Sequence, residues 1–546
     1  MSASESPMEK EHVQEKSPIE EKGSPDGPLA DVSYLENKTV RMTPKEKQEA
    51  LAQALAVDPG VKPTSWAAFH LYLIVLCACC CSGDSGFDGT VMGGVNSMKQ
   101  YQHYFGLKAA GAKTGIVFGI YTIGSLTGAI PASYLPDRFG RRVSMFTGNA
   151  ILIVGAVITG TATNKSTFIG GRFLTGVGSA TAGASAKSYL AELTPPQTRG
   201  LYLGLLNSFY YVGQMTATGM MVSTGKYTDN LSWRLPLFVQ IVPAILNVLF
   251  IFFCPESPRW LYSIGKPEKA REILAKLHSQ TGDINSPLVN LEMYEIQETL
   301  VIGGGDKHWW DFRPLFRTAG DRYRSYMIIL IGTFGQLSGN GLITYFLPVL
   351  LSNAGITSQN RKLTLNFVNS VTSFIGALSG AASVDHIGRR KLLLISTGSL
   401  VVVLAIVTGL LSKVSDSSGS RSTAGISFIY LFMVVYSFGW TPMQALYGAE
   451  VLSYEARAKG LAFLNLVNQA SSCINTFALP VALEKITWKV YIIFLVWDAF
   501  EFLVIYFTLV ETKGLTLEEI EEVFAQPNPK QYSLDHRKEL LDRNNV

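Results

Sequence analysis

Apolar runs of about 18 residues or more recur along most of this chain, each long enough to cross the roughly 30 Å hydrocarbon layer of a bilayer as a helix. Backbone N–H and C=O groups must pair internally in lipid, so such a chain folds as a bundle of membrane-spanning helices. The 47% hydrophobic and 16% charged content over 546 residues agrees. The net charge of +4 gives no argument for nucleic acid, because the basic residues fall in the connections between apolar runs rather than in one stripe.

Twelve helices are expected, near 66–91, 113–135, 143–161, 167–192, 201–223 and 235–254, then near 326–350, 363–384, 391–412, 425–449, 460–481 and 488–509. An even number puts both termini on one side. Arg138, Arg141 and Arg142 after the second helix, Arg389, Arg390 and Lys391 after the eighth, and the basic residues of the central segment mark that side as the cytosol. The chain then divides into a disordered cytosolic tail (1–63), a six-helix half (64–254), a central cytosolic loop with short helices (255–325), a second half (326–510) and a cytosolic tail (511–546). Cys77, Cys79, Cys80 and Cys81 crowd one helix, which reads as small apolar packing rather than a disulfide framework or metal site. No metal and no cofactor are expected.

The two halves repeat each other. "DRFGRR" at Asp137 returns as "DHIGRR" at Asp385, "AELTPPQTRG" at Ala191 as "AEVLSYEARAKG" at Ala449, and "PESPRW" is answered by "VETKGLT". Three matches in one order indicate a duplicated six-helix unit. Two parallel halves around a midplane pocket are transporter architecture, because rocking them exposes the pocket to each side in turn.

"GFDGT", "GGRFLTGVG", "AELTPPQTRG", "PESPRW", "GQLSGNG" and "ETKGLTLEE" together make the chain resemble the sugar porters of the major facilitator superfamily over about residues 64–520. "NSFYYVG", "SWRLPLFVQ" and "WWDFRPLFRT" look most like the fungal lactose-permease and cellodextrin-transporter-like branch. The resemblance implies an all-α polytopic membrane protein of major facilitator fold. It would be a monomer in the plasma membrane that imports a hexose, pentose or disaccharide with a proton. A facilitator without proton coupling, a carrier of a non-sugar small molecule and a transporter-like sugar sensor are the alternatives. No nucleophile–base pair among the spans points to an enzyme.

Asp84 and Asp88 in "CSGDSGFDGT" are four apart and share a helix face, among glycines that weaken the helix. At 1.5 Å per residue, Asp88 and Arg172, on helices of opposite direction, reach a similar depth, roughly 9 Å inside the outer end for Arg172. A lone charge there costs several kcal/mol, so each needs a partner or water. A carboxyl whose proton depends on how near an arginine lies is what symport requires, and the resemblance assigns Asp88 and Arg172 to that proton-coupling pair. A permanently ionised structural pair is the competing reading. Asp84 is expected at a water-exposed mouth, and Asp498 and Glu501 beside Lys489 or polar neighbours.

For sugar contacts, Asn207, Tyr210 and Gln214 lie along the fifth helix, the two amides seven apart on one face. Gln336 matches the second glutamine of the family's "QQLSGIN", whereas Gly335 and Gly341 replace its first glutamine and its asparagine, and Asn340 is placed to compensate. Tyr345, Asn369 and Asn468 complete the set. Ala445 stands at the family's stacking tryptophan, with Trp440, Gln444 and Tyr447 as replacements. Lys187 stands where the family usually has proline and is expected to snorkel towards the cytosol. The resemblance makes Asp137, Arg138, Arg141, Glu192 and Arg199, with Asp385, Arg389, Glu450 and Arg457, ion networks that hold the cytosolic gate shut in the outward-facing state. Asn230 in "NLS" is a glycosylation candidate in an outer loop, and Asn37 in "NKT" is on the cytosolic tail.

Overall fold

The computed structural model describes residues 44–303, 312–412, 419–453, 457–515 and 517–544, so Asn37 lies outside it. The first half consists of Trp66–Asn96, Ala112–Phe139, Arg141–Thr161, Lys165–Leu193, Arg199–Thr224 and a sixth helix in two pieces, Leu231–Val239 and Ile241–Phe250. The second half begins with a broken seventh helix, Ala319–Leu337 and Asn340–Asn353. Gln359–Ile387, Arg389–Leu411, Gly419–Val451, Arg457–Ile486 and Val490–Thr508 follow as the eighth to twelfth. Side-chain caps fix several starts: Ser65 and Asn164 accept from Ala68 and Thr167 N–H at 3.2 and 2.8 Å, and Thr318 with Asp321 forms a capping box before the seventh.

Among the described residues, nine stretches are apolar enough to cross a bilayer by length and composition alone, the last of them, Lys459–Thr508, holding both the eleventh and twelfth helices. The fourth and fifth helices are not among the nine. Glycine, serine and threonine dilute the fourth, together with Arg172 and Lys187. Those small residues have a packing reason: a Cβ on Gly178 would stand 2.5 Å from the Gly148 carbonyl, and one on Gly171 2.8 Å from the Gly155 carbonyl. The seventh helix was expected to be continuous, but Gly339 breaks it with a left-handed φ of 91°.

The halves touch on the outer side and at mid-depth. Gln359 donates to the Gly225 carbonyl at 2.8 Å, Lys108 pairs with Glu484 at 3.1 Å, and Gly111 N–H donates to the Pro480 carbonyl at 3.0 Å. Deeper, Tyr211 donates to Thr441 at 3.0 Å and Thr218 to Ser370 at 3.2 Å. The ion pairs described at the cytosolic ends of the membrane helices each stay within one half.

Part of the expected tail is ordered. Pro44–Val57 is a helix whose Ala50 and Ala54, with Leu51 and Leu55, pack on Leu288 and Leu291 of the cytosolic helix Pro287–Gly303. Asp58 fixes the exit of this helix by accepting from Gln280 N–H at 3.0 Å and from the Ser286 hydroxyl at 2.5 Å. Burial raises the pKa of this carboxyl, but those donors outweigh burial and hold it below the usual carboxylate value. His278 ends the neighbouring helix, Pro267–His278, and joins it to the membrane domain. Its Nδ1 lies 2.7 Å from Glu292 and its Nε2 2.9 Å from the Leu193 carbonyl at the end of the fourth helix.

Candidate substrate and proton site

The first and fourth helices bring Asp88 and Arg172 together in a direct ion pair, each side chain only 2% exposed. The Tyr121 ring lies 4.7 Å from the guanidinium carbon, and its hydroxyl donates to Ser179 at 3.2 Å. Ser179 in turn meets Ser85 at 3.1 Å, so the pair sits on a polar seam between the first, second and fourth helices. Tyr121 was not legible as a site residue, because one tyrosine in an apolar helix carries no spacing signal. Asp84 corrects the expectation of a water-exposed mouth: it is buried, and neither carboxylate oxygen has a hydrogen-bond partner among the described residues. The chain direction explains this, since Gly83 and Phe87 pack against the fifth helix and Cys81 against Asn149 of the third, which turns Asp84 into the interior of its half. Asp498 and Glu501 are likewise fully buried rather than beside Lys489, whose backbone caps the outer end of the twelfth helix.

In the second half, a compact amide and phenol network surrounds the break in the seventh helix. Gln444 donates to the Gly335 carbonyl at 3.0 Å and to the Tyr436 hydroxyl at 2.9 Å; Asn340 donates to the same hydroxyl at 3.0 Å, and Tyr436 itself donates to Gly335 at 2.5 Å. Asn475 reaches the Gln336 carbonyl at 2.5 Å, and a Cβ on Gly341 would stand 2.9 Å from its amide nitrogen. The two side chains missing from the seventh helix are thus replaced by amides from the tenth and eleventh. Tyr436 and Asn475 were not among the sequence candidates; their signal is visible only once the two glycines are seen as spaces to be filled.

Gln214, Asn369 and Asn468 also lie within the bundle, and the Oδ1 atoms of Asn369 and Asn468 are buried with no hydrogen-bond partner among the described residues. Tyr210 packs edge-on to Tyr211 at 5.8 Å, and the Tyr345 backbone meets Gly93 of the other half. Asn207 is exposed, two turns towards the cytosol from the buried Gln214. Two expected sugar contacts are placed elsewhere. Tyr447 is buried with its hydroxyl 2.9 Å from the Val510 carbonyl, at the cytosolic end where the tenth and twelfth helices meet. Trp440 is sealed inside the second half with no open face.

The cytosolic network is duplicated in space as in sequence. Arg141 pairs with Glu192 at 2.9 Å and Asp137 at 3.2 Å; Arg389 pairs with Glu450 at 2.6 Å and Asp385 at 2.9 Å. Glu256 accepts from Arg141 N–H at 3.1 Å, and Glu511 from Arg389 N–H at 2.9 Å, each placing an anion on the N-terminus of the helix that follows the turn. These two acids, in "PESPRW" and "VETKGLT", complete the duplicated network. Arg138 is exposed, 5.9 Å from the Phe139 ring and outside the net. Arg199 stands close to Glu192, Glu292 and Glu295 without a described ion pair, and the Arg457 side chain lies outside the described residues. On the outer side, exposed Asn230 accepts from the Trp233 indole at 3.3 Å.

Comparison with known proteins agrees with this architecture. The chain is 29% identical over 467 residues to the high-affinity glucose transporter 1 of Candida albicans, covering 81% of this chain and 84% of that protein. It is 27% identical over 483 residues to the high-affinity glucose transporter of Kluyveromyces lactis, covering 84% and 86%. The inward-open xylose transporter XylE of E. coli superposes with a TM-score of 0.68 at 20% identity, over 83% of this chain and 99% of that one, which shows the major facilitator fold. The model of the "Sugar (and other) transporter" family matches residues 74–524, and the chain belongs to that family.

Proposed function

We propose that this protein carries a saccharide across the plasma membrane by alternating access, coupled to a proton at Asp88. The observation that carries the reading is the buried Asp88–Arg172 pair on the polar seam of the first half. A carboxylate and a guanidinium in membrane interior are costly unless paired. Rocking of the halves that separated them would leave Asp88 to be neutralised by a proton instead. The saccharide reading rests on family membership and on Gln214, Gln336, Asn340, Asn369, Gln444 and Asn468, amides that suit a polyhydroxyl ligand. The unpaired acceptors of Asn369 and Asn468 leave room for hydroxyl donors.

The test is external pH in a weakly buffered suspension of transport-deficient cells expressing this protein, as glucose, xylose, lactose and cellobiose are added in turn. Alkalinisation with one sugar that disappears in Asp88→Asn supports symport. Entry of labelled sugar without alkalinisation leaves facilitation, and the absence of both directs the search to non-sugar cargo.

A further inference from the structure

Away from the helix ends, the helices that bound the cleft between the halves carry two basic side chains among the described residues, Arg172 and Lys187. Arg172 is taken by Asp88. Lys187 has no described ion pair, and its side chain is exposed. Its direction follows from the neighbours of the fourth helix. Gly176 meets Tyr121, and Val177 and Ala180 meet Gly128, which puts the second helix on one flank. Ser179 and Gly183 face Ser85, which puts the first helix on the other. Lys187, one turn beyond Gly183, projects between the two. Both flanking helices touch the second half, the second through Gly115 against Phe477 and the first through Gly93 against Tyr345, so the gap between them opens onto the cleft.

The internal repeat identifies what stands across that cleft. Lys187 lies four residues before Ala191 of "AELTPPQTRG", and Ala445 lies four before Ala449 of the matching "AEVLSYEARAKG". Ala445 is one turn beyond Thr441 on the tenth helix, and Thr441 meets Tyr211 of the first half. The carboxylates described on the cleft-bounding helices are engaged or turned away: Asp88 with Arg172, Glu192 and Asp137 with Arg141, Glu450 and Asp385 with Arg389, Asp321 with Arg324, Glu484 with Lys108, and Asp84 inside its own half. In this structure the ammonium is exposed. When the cytosolic side closes, an anion is needed beside it.

We propose that Lys187 is a cargo-recognition residue and that the carried saccharides include ones bearing a carboxylate, such as uronates or aldonates. This rests on the carrier reading above and narrows its substrate class. The carboxylate neutralises Lys187 as the cleft closes.

The test uses the full-length protein in proteoliposomes and sugars paired so that they differ only in the acid: glucose with glucuronate, galactose with galacturonate, lactose with lactobionate. Uptake and mutual inhibition give an acid-to-neutral preference. For at least one pair the acid is expected to be taken up, with a preference that falls about tenfold or more in Lys187→Gln, as loss of a charged hydrogen bond implies, and that Lys187→Arg retains. Neutral sugars entering while no acid enters or inhibits would overturn the proposal and leave the carrier reading standing. So would a Lys187→Gln loss that is equal for acid and neutral sugar. Failure of both classes with correctly inserted, folded protein would remove both.

Discussion

The side-chain amide of Gln444 occupies the space that any side chain at Gly335 would need, and it donates to the Gly335 carbonyl at 3.0 Å. The seventh and tenth helices have therefore exchanged the ownership of one amide. Gly335→Gln alone is expected to displace Gln444 and weaken sugar affinity about tenfold, whereas Gly335→Gln with Gln444→Ala recovers most of the loss. Binding isotherms on the four proteins of the cycle give the coupling, expected to exceed about 1 kcal/mol. A double variant no better than the single one would refute the exchange.

Gly388 has a φ of 97°, and a Cβ there would stand 2.9 Å from the Glu511 carboxylate. Gly388→Ala is expected to destabilise by about 1–3 kcal/mol through backbone strain and displacement of Glu511. Gly409, on the ninth helix with nothing within 4 Å of its missing side chain, is the control, since Gly409→Ala adds helix propensity at no steric cost. Thermal unfolding in detergent should separate the two.

Both ring nitrogens of buried His278 face acceptors, which is the geometry of a doubly protonated imidazolium. Burial opposes that charge, but Glu292 and the Leu193 carbonyl outweigh it and raise the pKa above the ordinary value. With the folded pKa above an unfolded value of about 6.5, the stabilisation is complete below that pH and is lost as pH rises through the folded pKa. The melting-temperature gap between wild type and His278→Gln should be widest at about pH 6 and narrow towards pH 9. A gap that widens with pH would contradict the assignment.

Asp58 behaves oppositely, because its folded pKa is depressed. Its contribution is present above an unfolded value of about 3.9 and is lost only as pH falls through the folded pKa, so it is fully charged at neutral pH. Asp58→Ala is expected to release the Pro44–Val57 helix at a cost of about 1–3 kcal/mol, leaving the Gln280 amide and Ser286 hydroxyl without their acceptor. Limited proteolysis between residues 57 and 66 should accelerate, while the membrane domain resists as before.

Much of the membrane domain was legible because the bilayer imposes a length on each helix and because the repeat shows its motifs twice. Asp88 and Arg172 were readable as charges that need partners, and the cytosolic Arg–Glu pairs came from the family resemblance. Tyr436, Asn475 and Tyr121 were not, since their role depends on contacts between helices far apart in sequence. Tyr447 was misjudged for a related reason: one helix face runs from the central site to the cytosolic end, and only the position of Val510 shows how far along it Tyr447 lies. The Pro44–Val57 helix was hidden by its polar, lysine- and glutamate-rich composition, which resembles that of a disordered tail until the apolar stripe of Ala50, Leu51, Ala54 and Leu55 finds Leu288 and Leu291.

The described cytosolic ion pairs are internal to each half, whereas the outer seam is closed by bonds such as Lys108–Glu484 and Gln359–Gly225, several of them open to water. Water-exposed pairs of this kind contribute only about 0–1 kcal/mol each. Under the proposed alternating access, these small and adjustable terms at the extracellular rim contribute to the population balance between the two faces. Ionic strength outside the cell, which screens the Lys108–Glu484 pair, should shift that balance without any change at the cargo site.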